Sequence, residues 1–332
     1  MKILAISHSA VVPEYRRRFA EVAARAPAEL TLLCPEEWIQ FNRLIRAGRT
    51  SDEGYRTVFR QPITWGLKKH GWRNASHYYR GLKGLIDETA PDIIEIWEEP
   101  FSAAAWQAIR SASRLRPSPR IIFFSAQNID RLYPPPFSLF ERYTYNRADF
   151  AFIMNEETGR VISRRGWKGE SLVIPLGVDP ARFKKIDAGA LRDRIGLNGF
   201  TIGFAGKLDA QKNPLVLIRA AAGLGDDFNL LIIGEGPLRK DCHRLAAELG
   251  IGEKTFFPGP VPHERMPEYL NCLDCLVMPS LTRKNLKEQF GRVLIEAMSC
   301  AVPVVGSDSG EIPAVIGESG LVLPEGDTTA LR

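Results

Sequence analysis

Residues 201–213 read TIGFAGKLDAQKN, an apolar run closed by glycine at Thr201–Gly206 and followed by a polar loop that carries Lys207 and Lys212. A short apolar run bounded by turn residues and leading into a helix-period segment marks one strand–helix unit of a parallel sheet. The same rhythm recurs after it, at Phe228–Gly234, Asp274–Ser280, Pro303–Ser307 and Gly320–Pro324. It also precedes it, with strands expected at Lys2–Ile6, Leu30–Leu33, Asp92–Ile96, Ile121–Phe124 and Phe150–Met154 and helices at Tyr15–Ala24, His77–Asp87 and Ser102–Ser113. Between the two series, IPLGVDPARFKKIDAG breaks into proline, glycine and charge. The fold class is therefore α/β, with two Rossmann-like parallel-sheet domains at residues 1–185 and 200–332, joined through about 183–199. Sheets of this kind bind ligands at the carboxyl ends of their strands, and a cleft between two facing sheets is a natural site.

Composition agrees with a soluble globular chain: 332 residues, 45% hydrophobic and 25% charged. No apolar run approaches the roughly 18 to 20 residues of a spanning helix, and MKILAISHSA lacks the core of a signal peptide, so a cytoplasmic protein is expected. The five cysteines are scattered, and Cys272-x-x-Cys275 has no second Cys or His pair to complete a zinc site. The net charge of +5 hides an asymmetry: residues 1–185 hold 29 basic and 20 acidic side chains, giving +9, and the remainder carries −4. Basic pieces such as Arg16-Arg17-Arg18, Lys68-Lys69 and Arg164-Arg165 suit solvated helix faces or attraction to an anionic membrane surface. They are dispersed and come without a nucleic-acid-binding motif, so nucleic acid is not expected as a partner.

The segment KEQFGRVLIEAM, Lys287–Met298, places Glu288 and Glu296 eight positions apart. Turn-prone residues precede it, and the apolar spacing of Val293, Leu294, Ala297 and Met298 predicts a helix starting near Phe290-Gly291. Glu288 then stands in the loop before the helix and Glu296 in its second turn. Between them lie the free N–H groups of a helix start, which favour an anion, with Gly291 allowing close approach. Carboxylate, anion site, carboxylate matches hydroxyl, diphosphate, hydroxyl in a sugar nucleotide. Two carboxylates would repel a diphosphate, and Lys207 and Lys212 can offset that as point charges. No Asp-x-Asp occurs in the chain, and no divalent metal is expected.

The ordered set GKLDAQKN, IIGEGP, FFPGPVPHERMPEYL, LVMPS and EQFGRVLIEAMSCAVPVVGSDSGEIPAVIG, with IPLGVDPARF before it, resembles the retaining, metal-independent glycosyltransferases of family four, of GT-B fold. The resemblance covers the second half of the chain and the exit from the first. It implies that Glu288 holds donor-sugar hydroxyls and that the Phe290-Gly291 backbone lies near sugar and phosphate. By the same resemblance Lys207, beside Gly206, and Lys212 bind the diphosphate, Glu296 binds the ribose, and the backbone around Val261 meets the base. Leu294 belongs to the same donor-binding set. The implied co-substrate is a nucleoside-diphosphate sugar, with no other cofactor. The implied acceptor is lipid-linked, a polysaccharide or another glycan, in polysaccharide or cell-envelope biosynthesis at the inner face of a membrane.

Several residues depart from the family pattern. The loop SHSAVVPEYRRR has no glycine, and Gln127-Asn128 stands where relatives often carry a histidine; Asn128 or His8 could serve instead, or act as turn residues. Glu98 and Glu99 follow a strand end and are candidates for the acceptor side or, equally, residues of a solvated loop. Ala301 replaces a usual glycine and Leu176 a usual asparagine. The helix begun at Asp327 or Thr328 has barely started at Arg332, so a longer natural chain is expected. Two other functions stay open from sequence: a nucleotide-sugar epimerase of similar architecture, and a non-catalytic sugar-nucleotide-binding subunit.

Overall fold

A computed structural model describes residues 1–40, 43–48, 54–65 and 70–332. Lys68-Lys69, part of the expected basic surface, lies outside the described residues. The chain divides into two compact units, Met1–Ile174 and Pro175–Arg332.

The first unit is built on a seven-stranded parallel sheet in the order Glu170–Val173, Phe150–Ile153, Arg120–Ser125, Ile93–Ile96, Lys2–Ile6, Glu29–Cys34, Arg56–Phe59. The first strand lies inside the sheet, with later strands added first on one side and then on the other. Strand order therefore reverses between Lys2–Ile6 and Ile93–Ile96, which makes their carboxyl ends the expected ligand crevice of this sheet. Leu4, Ile6, Ile94, Ile96 and Phe123 are buried in one core. Ala5, Leu30 and Leu32 face a second core with Phe19, across the opposite face. Two short antiparallel pairs accompany the sheet, Glu37–Gln40 with Arg43–Arg46 and Ile63–Thr64 with His77–Tyr78.

The second unit has a six-stranded parallel sheet in the order Thr255–Gly259, Phe228–Ile233, Phe200–Ala205, Cys275–Met278, Val304–Ser307, Gly320–Leu323. All of Phe228–Ile233 is buried, because both faces of the sheet are covered. Leu231 and Ile233 enter one core with Leu276, Met278 and Leu294, whereas Leu230 and Ile232 enter the other with Ile202, Phe204 and Val277. Here the order reverses between Phe200–Ala205 and Cys275–Met278.

Two expectations need correction. His77–Asp87 is not one helix: His77–Tyr78 pairs as a strand, Gly81 turns the chain at φ +70°, and the helix runs Leu82–Thr89. Nor is 183–199 a joint. Phe183, Leu191 and Leu197 are buried in the second unit's core, and Gly189–Ile195 is a helix ended by Gly196 at φ +90°. The polar composition of that stretch is its solvent face. No helix among the described residues is long and apolar enough to cross a membrane.

Candidate functional site

In the second unit the loops after adjacent strands pack backbone against backbone. Gly206 N–H donates to the Ile233 carbonyl at 3.0 Å, Leu208 N–H to that of Glu235 at 3.0 Å, and Leu238 N–H to that of Leu208 at 2.9 Å. A side chain at Gly234, whose φ is +133°, would place Cβ 1.9 Å from the Gly206 oxygen, so this crossing requires glycine. Asp209 then organises the lysine loop. Its Oδ1 accepts from the backbone N–H of Gln211 at 3.1 Å and Lys212 at 3.0 Å, and its Oδ2 lies 3.1 Å from Lys207 Nζ. Both lysines therefore leave the carboxyl end of Phe200–Ala205, Lys207 half-exposed and Lys212 mostly covered.

The expected helix is present as Arg292–Ser299, with Gly291 before it at φ +84°. Glu288 lies in the preceding loop and is 8% exposed; Glu296 lies in the second turn and is 5% exposed. Lys212 Nζ donates to Glu288 Oε2, which also receives the Ser280 hydroxyl at 3.4 Å. The Glu288 carbonyl accepts from Glu311 N–H at 3.2 Å. Gly310, at φ +57°, crosses this carbonyl so closely that a Cβ would lie 2.1 Å from it. Glu296 Oε1 is 2.9 Å from His263 Nε2, and Arg182 donates to His263 Nδ1 at 3.1 Å. An arginine can only donate, so His263 carries its hydrogen on Nε2 and donates it to Glu296.

Lys212 and Glu288 thus meet directly, with Glu296 on the helix between Arg182–His263 and the core. Phe290 is buried, and Val261 is half-buried against the same core. Leu294 is fully buried in one core with Leu276, Met278 and Ile312, so its side chain supports the helix. Sequence reasoning missed Arg182 and His263. Both lay within motifs already singled out, VDPARF and VPHERMPEYL, but only the fold brings them to Glu296.

In the first unit, Glu98 is not a solvated loop residue. It is 1% exposed, accepts His8 N–H at 2.6 Å, and also receives His8 Nδ1. Burial pushes its carboxyl up, but facing His8 and His77 overrides this and leaves the pKa at about 2. Its neighbour Glu99 goes the other way. Burial raises it to about 7 although Ala126 N–H at 2.9 Å and the Ser125 hydroxyl at 2.7 Å both donate to it. Gln127 donates to the Tyr133 hydroxyl at 2.9 Å and accepts from Ile129 N–H at 3.2 Å, the geometry of a turn residue; Asn128 is buried at 2% exposure. His77 escaped notice because its stretch reads as helix.

A family profile described as glycosyl transferases group 1 matches residues 192–332. The chain is 30% identical over 296 residues to a GDP-mannose-dependent alpha-(1-6)-phosphatidylinositol monomannoside mannosyltransferase of Mycolicibacterium smegmatis, covering 85% of this chain and 74% of that protein. It is 30% identical over 207 residues to a 2-deoxystreptamine glucosyltransferase of Streptomyces kanamyceticus, covering 59% of this chain and 52% of that one. The chain spans between about a third and a half of the first curated relatives it matches, 36% to 52% of their lengths. Among solved structures, a sucrose-phosphate synthase from Thermosynechococcus elongatus matches with a TM-score of 0.71 at 20% identity, covering 100% of this chain and 88% of that chain. The fold is GT-B.

Proposed function

This chain belongs to the group 1 glycosyltransferases, and we propose that it moves a hexose, with retention of anomeric configuration, from a nucleoside-diphosphate sugar to a lipid-linked, polysaccharide or other glycan acceptor. The observation that carries this reading is the arrangement around one helix start: Glu288 before Arg292–Ser299, Glu296 within it, and Lys212 bound to Glu288. In our reading Glu288 takes sugar hydroxyls, Glu296 takes the ribose, Lys207 and Lys212 take the diphosphate, and the Phe290-Gly291 backbone lines the sugar. Val261 and Gly206 contribute backbone near base and phosphate. Retention follows a front-face course in which the leaving diphosphate helps deprotonate the acceptor, so no protein nucleophile takes part. Because two lysines and a helix start face the phosphates, the transfer needs no magnesium or manganese. His8, Glu98, Glu99, Gln127 and Asn128 stand on the acceptor side of the proposal. The basic first unit docks on anionic membrane to reach a lipid-linked acceptor.

The test is a thermal-shift panel of UDP, GDP, ADP and their sugars, hexoses first, since the relatives' names are mannosyl and glucosyl. A ligand at 100 times its dissociation constant stabilises by roughly 2.7 kcal/mol, well within reach of such a screen. The donor found is then incubated with acceptor classes, and release of nucleoside diphosphate is followed. Acceptor-dependent release is expected. Conversion of the sugar without acceptor would instead identify an epimerase, and binding without turnover on any acceptor would identify a non-catalytic subunit.

A further inference from the structure

His8 follows Lys2–Ile6, and Glu98 follows Ile93–Ile96, the two neighbouring strands between which the order of the first sheet reverses. Parallel sheets collect ligands at that crevice. A third side chain, His77, arrives from the short strand His77–Tyr78. One ligating atom from each of the three lies within 4.8 Å of the other two. The His77 and Glu98 side chains are fully buried, and that of His8 is 17% exposed.

Counting hydrogens shows what this cluster lacks. His77 Nδ1 lies 2.9 Å from the Asn74 carbonyl, which can only accept, so Nδ1 carries the hydrogen. Nε2 of the same ring faces Glu98 Oε1 at 3.5 Å. Nε2 is buried and has no hydrogen-bond partner among the described residues. A buried ring nitrogen without a hydrogen-bond partner, beside a buried carboxylate, is a place that a cation can fill. The spacing of His77 and Glu98 suits a metal, and His8, in direct contact with Glu98, draws back to admit one. An imidazole that ligates a metal commonly donates its other N–H to a backbone carbonyl, as His77 does to Asn74. Nitrogen and oxygen ligands about 2.1 Å from a tetrahedral ion stand roughly 3.4 Å from one another, close to the separation of His77 and Glu98. The His8 backbone N–H holds the carboxylate in place at 2.6 Å. The Trp38 ring, 5.2 Å from His8 and 5.0 Å from His77, walls both imidazoles.

We propose that His8, His77 and Glu98 bind one divalent ion of the zinc type within the first unit, through His77 Nε2, His8 Nδ1 and the Glu98 carboxylate, with a fourth position left for a small ligand such as water. Two imidazoles and one carboxylate form a donor set that zinc accepts readily, whereas magnesium and calcium prefer oxygen alone. The ion takes the place of the hydrogen between His8 and Glu98, and that hydrogen moves to His8 Nε2 as the ring changes tautomer. It ties together three segments: the loop after the first strand, the His77–Tyr78 strand and the loop after Ile93–Ile96.

The experiment uses the full chain, stripped with a chelator and titrated with zinc chloride by calorimetry. Expected are one zinc ion per chain, a raised melting temperature, and the visible absorption of a tetrahedral ion when cobalt replaces zinc. His77→Gln and Glu98→Gln should each weaken zinc binding at least about 100-fold, whereas His243→Gln, in the second unit, should not. Should His77→Gln fail to fold, His8→Gln gives the same reading from the most exposed ligand. Absence of stoichiometric zinc, or equal uptake by wild type and the His77→Gln and Glu98→Gln variants, would overturn the proposal and assign the missing cation to a second proton on His77.

Discussion

Replacing Glu288 and Glu296 separately by alanine distinguishes the two carboxylates, and the structure sets the sign of each effect. Glu288 accepts from Lys212, one of the two lysines assigned to the diphosphate. Glu288→Ala therefore releases an ammonium group toward phosphate at the same time as it removes a partner for the sugar. A hydrogen bond to a charged group is worth about 1.5–3 kcal/mol, which is roughly 10- to 150-fold at 1.36 kcal/mol per decade. The expectation is a loss of this size in kcat/KM for the nucleoside-diphosphate sugar, with Kd for the free nucleoside diphosphate unchanged or tighter. Glu296→Ala should do the reverse, weakening free nucleoside diphosphate by about 10-fold or more, because the ribose partner goes and His263 and Arg182 lose their anchor. Lys212 keeps part of its side chain in solvent, so Glu288→Ala should cost only about 1–2 kcal/mol of stability and leave a folded protein to assay. Calorimetric titration with the diphosphate that scores best in the thermal panel measures both variants. Abolished binding in Glu288→Ala with intact binding in Glu296→Ala would reverse the assignment of roles.

Other consequences can be checked independently. In the first unit Arg165 donates to Glu141 through Nε at 2.8 Å and NH2 at 2.6 Å, and both side chains are 8% exposed. Arg165 also donates to the Arg131 carbonyl and lies 3.5 Å from Asp130, so Glu141→Leu alone should cost about 1.5–3 kcal/mol, and Arg165→Met added to it should recover part of the loss in the melting temperature. Transfer activity should be indifferent to added magnesium or manganese once any zinc has been restored; strict dependence on either ion would place a metal at the diphosphate. Co-sedimentation with vesicles should rise with anionic lipid and fall with salt, since exposed charges are screened over roughly 8 Å at physiological ionic strength. Equal binding to neutral vesicles would remove the electrostatic account.

The placing of Glu288, Glu296 and the two lysines was legible because it is local. Gly291 sets the start of Arg292–Ser299, and the helical period then fixes where Glu296 falls. Lys207 and Lys212 follow in the same way from the strand that ends at Ala205. What sequence does not carry is long-range pairing. Arg182, His263 and Glu296 are separated by 81 and 33 positions, and only the packed sheet assembles them. The cluster of His8, His77 and Glu98 failed to appear for a second reason. The stretch from His77 onward has apolar residues at helical spacing, so period alone extends the helix through Tyr79-Arg80-Gly81. The left-handed turn at Gly81 is what separates His77 from that helix.

Ala301 offers a test of whether the helix that carries Glu296 is held under strain at its far end. The helix closes with Ala301 N–H donating to the Met298 carbonyl at 2.9 Å and Val302 N–H to that of Ala297 at 2.9 Å, the paired bonds of a Schellman ending. That ending needs a left-handed residue at Ala301, and its φ is +58°. A left-handed conformation costs a residue with a Cβ about 1–2 kcal/mol, and glycine escapes this cost. Glycine also loses more chain entropy on folding, which returns about 0.4–1 kcal/mol to the unfolded state. The difference favours Ala301→Gly by about 0.5–1 kcal/mol, or roughly 1–4 °C in melting temperature for a unit of this size. The residue is exposed, so no packing is lost. Calorimetry on the two proteins reads the shift, and nucleotide affinity should stay the same, because the change lies beyond Glu296 on the solvent side. A melting temperature that falls in Ala301→Gly would show that the alanine sits there at no conformational cost, and that the helix end is fixed by its two hydrogen bonds whatever residue makes the turn.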